Sequence, residues 1–117
     1  MGELIMLLLH SATNAHVLHL KSRSYAQHIA LQEFYEGLRD FADTLAEVYQ
    51  GKYGLIESYP ARYTFVAEPL ALVTGVAEWV EGNREEVCDD DDKDLQNIID
   101  ELLAHCAKTA YKLKFLK

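Results

Sequence analysis

The stretch HIALQEFYEGLRDFADTLAEVYQ, residues 28–50, decides the fold of this chain. It holds a single glycine and no proline, and its apolar residues recur every three or four positions, which is the pattern of an amphipathic α-helix. The helix is predicted over residues 25–49 or beyond, with Ser24 as its N-cap and with Gly51 and Gly54 as C-terminal stops. Its predicted apolar stripe comprises Ile29, Leu31, Phe34, Leu38, Phe41, Leu45 and Val48.

Three further segments have helical periodicity, and no stretch alternates as a strand would. They are predicted over residues 2–21, over residues 69–82 with Pro69 at the first helical position, and over residues 90–115. The apolar run Leu4–Leu9 is far below the ~20 residues of a membrane helix. It also lacks a preceding basic region and a following cleavage site, so we expect a core helix rather than a signal peptide.

The connections between these helices predict the topology. Short links favour antiparallel neighbours, which pairs the first helix with the second and the third with the fourth. Residues 52–68 form a longer link, which at ~3.3 Å per residue could span up to ~56 Å, more than the ~40 Å of the second helix. This link could cross the whole bundle or fold back locally. We therefore predict an all-α protein, a ferritin-like four-helix bundle with one long crossover, formed by a single domain over residues 1–117.

Composition limits the partners and the compartment. The 117 residues suit one domain, and a net charge of −8 argues against direct DNA binding, which needs clustered Lys and Arg. The basic cluster at the C-terminus fits a helix end that favours cations, with an anionic contact as the alternative. Its members are Lys108, Lys112, Lys114 and Lys117. Cys88 and Cys106 form no disulfide framework, so we expect free thiols in a reducing cytoplasm. Because the sequence has no apolar run long enough for a membrane helix, we also expect no membrane partner.

The candidate chemical site consists of His16, His28, Asp43 and Glu47. All four side chains are ligands that suit iron or zinc. At ~1.5 Å rise per residue, Asp43 and Glu47 lie roughly 22 and 28 Å from His28 along the helix axis. One chain therefore cannot bring all four around one ion. A two-fold partner with antiparallel helices could, and it would create two equivalent sites per dimer.

Each part of this constellation also has an ordinary explanation. A single histidine on an amphipathic helix is usually a surface or core residue, and the acidic positions 36, 40, 43 and 47 could be a solvated face. Stacked acids repel one another, and a cation or a partner would relieve that repulsion. No Glu-x-x-His pair of a single-bundle di-iron site is present, because Glu101 and His105 are spaced by four. The run Asp89–Asp92 suits a helix start, or else an acidic path that attracts cations.

The region from His16 to Glu47 resembles the Dps (DNA-binding protein from starved cells) family of the ferritin-like superfamily. Residues 28–50 resemble its second helix, with a leading His and a later Asp-x-x-x-Glu, and DLQNIIDELLAHCAKTAYKLKFL, residues 94–116, resembles its last helix. The resemblance implies a ferroxidase centre in which the two histidines come from one subunit and the two acids from its two-fold mate. It further implies oxidation of Fe(II) by hydrogen peroxide or dioxygen, and iron storage as mineral inside a shell.

Some residues depart from that family. Gln32 stands where the family commonly has an acidic residue, and the chain has no basic N-terminal tail that would bind DNA. One alternative is a ferritin-like helical interaction protein that has lost ferroxidase activity and binds a partner protein. Another is a zinc-binding dimer, because two histidines and two carboxylates also suit zinc.

Overall fold

The structure, a computed structural model, describes all 117 residues as four α-helices without any strand. The helices are α1 (Gly2–Lys21), α2 (Tyr25–Tyr53), α3 (Pro69–Val87) and α4 (Lys93–Phe115). The predicted all-α four-helix bundle is confirmed. None of these helices combines the length and the apolar character that crossing a membrane requires.

The link between α2 and α3 crosses the bundle along α1. Ser58 lies against Gly2 at the start of α1, and Val66 is hydrogen-bonded to Asn14, further along the same helix. The chain therefore returns to the end at which α2 began before it enters α3, so α2 and α3 run in the same direction. The predicted long crossover is confirmed, and the alternative of a local fold-back is wrong.

A buried asparagine fixes the crossover. The side chain of Asn14 is 1% exposed, and its Nδ2 donates to the carbonyl oxygen of Val66 at 2.9 Å. Its Oδ1 accepts from the Val66 amide at 2.7 Å and from the Tyr63 hydroxyl at 2.8 Å. Because a buried amide without partners would destabilise the fold, these three bonds are what make a polar residue tolerable at this position.

The core is one continuous cluster of 22 buried residues. Residues Leu4, Ile5 and Leu8 are buried within it, so the apolar N-terminal run is a core helix as predicted. Leu31, Phe34, Leu38 and Leu45 of the predicted α2 stripe are also buried. The other three members of that stripe, Ile29, Phe41 and Val48, are only half-buried.

The predicted boundaries of α2 are largely correct. Ser24 caps the helix, because its Oγ accepts from the Gln27 amide at 3.3 Å. Gly51 does not stop the helix, which continues to Tyr53. Gly54 ends it with φ of 94°, a left-handed conformation that favours glycine.

Two other predicted boundaries are wrong. The third helix does not end near Gly82 but continues to Val87, because Val87 is buried in the core and Gly82 lies on the exposed side. The fourth helix begins at Lys93, not at residue 90. Pro69 does occupy the start of α3, as predicted.

The acidic run before α4 includes an anchor to the end of α2. Lys52 Nζ lies 2.6 Å from Asp92 and 2.9 Å from Asp94, and the Tyr53 hydroxyl also donates to Asp92. The hydrogen bond from Lys52 holds the pKa values of Asp92 and Asp94 below their usual range. Asp92 therefore has a structural role in joining two helices.

Candidate metal site

Three histidines meet where α1 turns into α2. His16 and His19 lie on the last turns of α1, and His28 lies on the first turn of α2. The rings of His19 and His28 stack with their centroids 3.6 Å apart, and His16 stacks on Tyr35 at 4.3 Å. His19 stands between the two predicted ligands, with its ring centroid 5.7 Å from that of His16.

His19 and His28 hold each other through their backbones. His19 Nδ1 lies 2.7 Å from the carbonyl oxygen of His28, and His28 Nδ1 lies 2.9 Å from the carbonyl oxygen of His19. A carbonyl oxygen only accepts, so each Nδ1 carries the proton, and the Nε2 of the neutral ring keeps its lone pair. Metal-binding histidines commonly donate their other ring N–H to a carbonyl in this way.

The other ring nitrogens have no partner within the chain. No protein group bonds to Nε2 of His19 or of His28. His19 is only 6% exposed, whereas His28 is half-buried. Of the two rings, His28 is therefore the more exposed to solvent.

The stack also limits what one chain can bind. A metal ion lies close to the plane of each imidazole that binds it, at about 2.0–2.1 Å from the nitrogen. The rings of His19 and His28 are stacked and nearly parallel, 18° apart in plane, so one ion cannot lie in both ring planes. No group of three His, Cys, Asp or Glu residues in the chain could hold a metal ion. A single chain therefore supplies at most part of a metal site.

The two predicted carboxylate ligands lie in the second half of α2, away from the histidines. Asp43 and Glu47 are exposed on α2, and neither forms an ion pair or a hydrogen bond within the chain. The structure does not bring them to the histidines of their own chain. The role of His16, His28, Asp43 and Glu47 as ligands stays a prediction.

The two polar residues about one turn after His28, Gln32 and Glu33, bond to groups other than the histidines. Gln32 donates from Nε2 to Glu36 at 3.1 Å, so it engages the first carboxylate of the acidic stripe. Glu33, beside it, pairs with Lys112 of α4. This pair gives one member of the basic C-terminal cluster a contact inside the chain. No acidic side chain of this region is bonded to the histidine rings.

The histidine stack ends in aromatic and cationic groups. Tyr35, which is 8% exposed, packs edge-on to His19 at 5.4 Å, and the Arg39 guanidinium lies 5.1 Å from the Tyr35 ring centroid. Neither His19 nor Tyr35 was predicted from the sequence to be a site residue. The spacing of three between His16 and His19 was the available signal, because residues so spaced are neighbours on one helix face.

The outer side of α1 beside this stack is apolar. Leu9 and Val17 are each 37% exposed, and Leu20 is 70% exposed. Tyr25, at the start of α2, is 79% exposed. Exposed apolar side chains along one side of a helix are typical of a surface that contacts another protein.

His105, on α4, is half-buried and takes part in packing between α2 and α4. His105 packs against Phe34 at 5.6 Å and its Nε2 lies 3.2 Å from the Phe34 carbonyl oxygen. Burial lowers the pKa of His105. Cys88 and Cys106 are buried free thiols, as predicted.

Comparison with known proteins gives one family. Neither the curated proteins nor the solved structures contain a match to this chain. The family model matches residues 19–113, a region that includes His28, Asp43 and Glu47 and leaves out His16. Because this match covers most of the sequence, the chain belongs to the family described as Family of unknown function (DUF5856).

Proposed function

We propose that this protein binds ferrous iron and oxidises it at a site shared between two chains, as its resemblance to the Dps family implies. His16 and His28 of one chain and Asp43 and Glu47 of a two-fold mate would be the ligands. The observation that carries the proposal is the bond from His28 Nδ1 to the carbonyl oxygen of His19, which selects the tautomer of His28 whose Nε2 can bind a metal ion.

The placement of the carboxylates supports a shared site. Asp43 and Glu47 have no cation in their own chain, and they lie on the same long helix as His28. A two-fold axis near Glu36, about midway between His28 and the two acids, would exchange the two ends of α2. Each end would then bring carboxylates to the other chain's histidines.

The exposed apolar side chains of α1 support a second copy as the partner. Leu9 and Val17 are each 37% exposed and Leu20 is 70% exposed, with Val17 and Leu20 adjacent in sequence to His16 and His19. Burying apolar surface of this kind is the main favourable contribution to association. We infer a dimer through the outer surfaces of α1 and α2, and a larger shell remains compatible with it.

The reaction needs only ligands and an open coordination position. Two ferrous ions, each bound by imidazole nitrogen and carboxylate oxygen, lose one electron each, and one hydrogen peroxide takes these two electrons and two protons to yield two waters. Dioxygen is the alternative oxidant. The protein's contribution is to hold the iron where the oxidant can reach it. Gln32 carries no charge, so we expect one firmly bound ion per site.

The test is anaerobic titration with ferrous iron, followed by peroxide or air, with ferric absorbance as the readout. The parent should bind iron saturably and speed its oxidation. Asp43→Ala/Glu47→Ala should lose both properties. Glu81→Ala/Glu85→Ala is the matched control, because it removes two exposed acids at the same spacing from α3. Equal background rates in all three proteins would refute the ferroxidase activity.

A mixing experiment tests the shared site directly. His28→Ala alone and Asp43→Ala/Glu47→Ala alone should each be inactive. In a mixed dimer, one site carries both defects and the other site is intact. Random exchange of equal amounts should therefore restore about a quarter of the parent activity. No recovery in a mixture that sedimentation shows to contain dimers would contradict a site between chains.

Two observations favour a second candidate, a helical interaction protein without ferroxidase activity. Gln32 stands where the Dps family commonly has an acidic residue, and its side chain bonds Glu36. Leu20 and Tyr25 are highly exposed apolar side chains that a partner protein could cover. This candidate predicts that one specific protein copurifies while no iron is retained. Elemental analysis after competitive loading distinguishes iron from zinc, which suits the same ligands.

A further inference from the structure

The crossover stands over a cleft between α1 and α3. Near residue 58 its backbone packs directly against the start of α1, so closely that a Cβ added to Gly2 would lie 2.0 Å from the Ser58 carbonyl oxygen. Its other end is pinned at Val66 by Asn14. Between these two points the crossover lies over the seam where α1 meets α3, which pack less extensively than the other neighbouring helices.

Two cavities open along this seam and form one cleft. Their volumes are about 330 and 180 Å³, and both are lined by Glu3, Pro60 and Trp79. The larger lobe is completed by Met1, Gly2, Ser58, Asn83, Glu86 and Val87. The smaller lobe is completed by Met6, Leu7, His10, Arg62 and Tyr63. Because the crossover is held at both ends, the cleft is pre-formed, and small-molecule sites are usually pre-formed clefts of this kind.

The larger lobe offers an indole side chain and hydrogen-bond acceptors. Trp79 is half-exposed, and neither Glu3 nor Glu86 forms an ion pair within the chain. Asn83 donates its Nδ2 to the Trp79 carbonyl oxygen at 2.8 Å, which leaves its Oδ1 as an acceptor. Organic ammonium ions are recognised by aromatic faces, with tryptophan the best of them, and by carboxylates.

Two alternatives fit the lobe less well. A bare metal ion needs several ligands around one point, and no three His, Cys, Asp or Glu side chains of the chain are so grouped. An anion would meet two carboxylates. In the smaller lobe, Arg62 would repel a second positive charge on a long ligand. A small molecule with a single positive charge fits the two lobes better than a bare metal ion, an anion or a doubly charged cation.

We propose that this cleft binds a small organic ammonium ion, seated against Trp79 between Glu3 and Glu86, with its uncharged body directed under Pro60 towards Tyr63. The cleft shares no residue with the iron site proposed above. The two proposals therefore stand or fall separately.

The test uses the fluorescence of Trp79, the only tryptophan of the chain. Choline and n-butylammonium are titrated at constant ionic strength. The control ligand is the uncharged carbon analogue of choline, in which a tert-butyl group replaces the trimethylammonium group. At least one ammonium ion should change the emission saturably, and the uncharged analogue should bind at least about tenfold more weakly.

Variants identify the groups responsible. Glu3→Gln/Glu86→Gln should weaken ammonium binding by about tenfold or more, since both carboxylates are lost. Glu81→Gln/Glu85→Gln changes the net charge equally and should bind as the parent does. Calorimetry with Trp79→Phe, whose helicity is first checked by circular dichroism, should show weaker binding. The proposal is overturned if neither ammonium ion binds, if the uncharged analogue binds equally, or if the two double variants behave alike.

Discussion

Gly37→Ala tests how closely α2 and α4 pack. A Cβ at position 37 would lie 2.4 Å from His105 Nε2 and 2.5 Å from its Cε1, closer than real carbon atoms approach. The His105 ring cannot easily move aside. It stacks on Phe34, lies against Phe41 at 5.7 Å and bonds the Phe34 carbonyl oxygen. The added methyl group must therefore displace a ring held on several sides.

The change in the free energy of unfolding follows from one stabilising and two destabilising contributions. Alanine is favoured over glycine in a helix interior by about 1 kcal/mol. Overpacking a core typically costs about 1–3 kcal/mol, and losing the His105 hydrogen bond costs about 1 kcal/mol. Gly37→Ala should therefore lower the free energy of unfolding by about 1–3 kcal/mol. In a His105→Ala background the clash is absent, and the same change should raise it by about 0.5–1 kcal/mol.

The assay is urea unfolding of the parent, both single variants and the double variant, followed by circular dichroism. Gly82→Ala is the control, because a Cβ there meets no atom within 4 Å in a helix of the same bundle. It should stabilise the protein by up to about 1 kcal/mol. The reasoning is refuted if Gly37→Ala stabilises the parent, or if its effect has the same sign and size with and without His105.

Three further predictions concern Asn14, His105 and the two cysteines, whose side chains are partly or fully removed from water by folding. Asn14→Ala removes the three bonds that fix the crossover, so it should lower the free energy of unfolding by about 2–4 kcal/mol and speed hydrogen exchange of the Val66 amide; an unchanged exchange rate would contradict this. Burial holds the pKa of His105 below its ordinary value of 6.5, so the unfolded chain binds that proton first. Its contribution to stability is therefore complete above about pH 6.5 and is lost as pH falls below it, and His105→Gln should remove this part of the pH dependence of urea unfolding. Burial raises the pKa of Cys106 to about 12 and also raises that of Cys88, so a thiol reagent near pH 8 should label neither until urea is added; fast labelling of the folded protein would show that the thiols are accessible.

The helices were predictable because each one repeats its apolar residues at helical spacing. The N-cap at Ser24 and the first position at Pro69 were predictable from local chemistry alone. The end of α3 was not. Gly82 resembles a stop in the sequence, but a glycine inside a helix costs only about 1 kcal/mol. The helix continues past it because Val87 is buried, a contribution that depends on the rest of the bundle.

The candidate site shows a similar division. The predicted antiparallel pairing of the first two helices implies that His16 and His28 lie at the same end of the bundle, and they do. It could not predict that His19 would stand between them, because the order of rings in the groove depends on how α1 and α2 are rotated about their axes. Whether Asp43 and Glu47 of a second chain complete the site is a property of the dimer, so neither one sequence nor one chain's structure decides it.

Helix α1 separates the two proposed sites. Asn14, which holds the crossover, and His16, which belongs to the histidine stack, are two residues apart and therefore about 200° apart around the helix axis. One side of α1 packs against α2 through the histidines, and the other carries the crossover and the cleft. Loosening the crossover through Asn14 should therefore alter ammonium binding while the rings of His19 and His28 keep their mutual bonds. The same helix also places its exposed apolar residues beside the stack, so a second chain could dock there with the cleft left open.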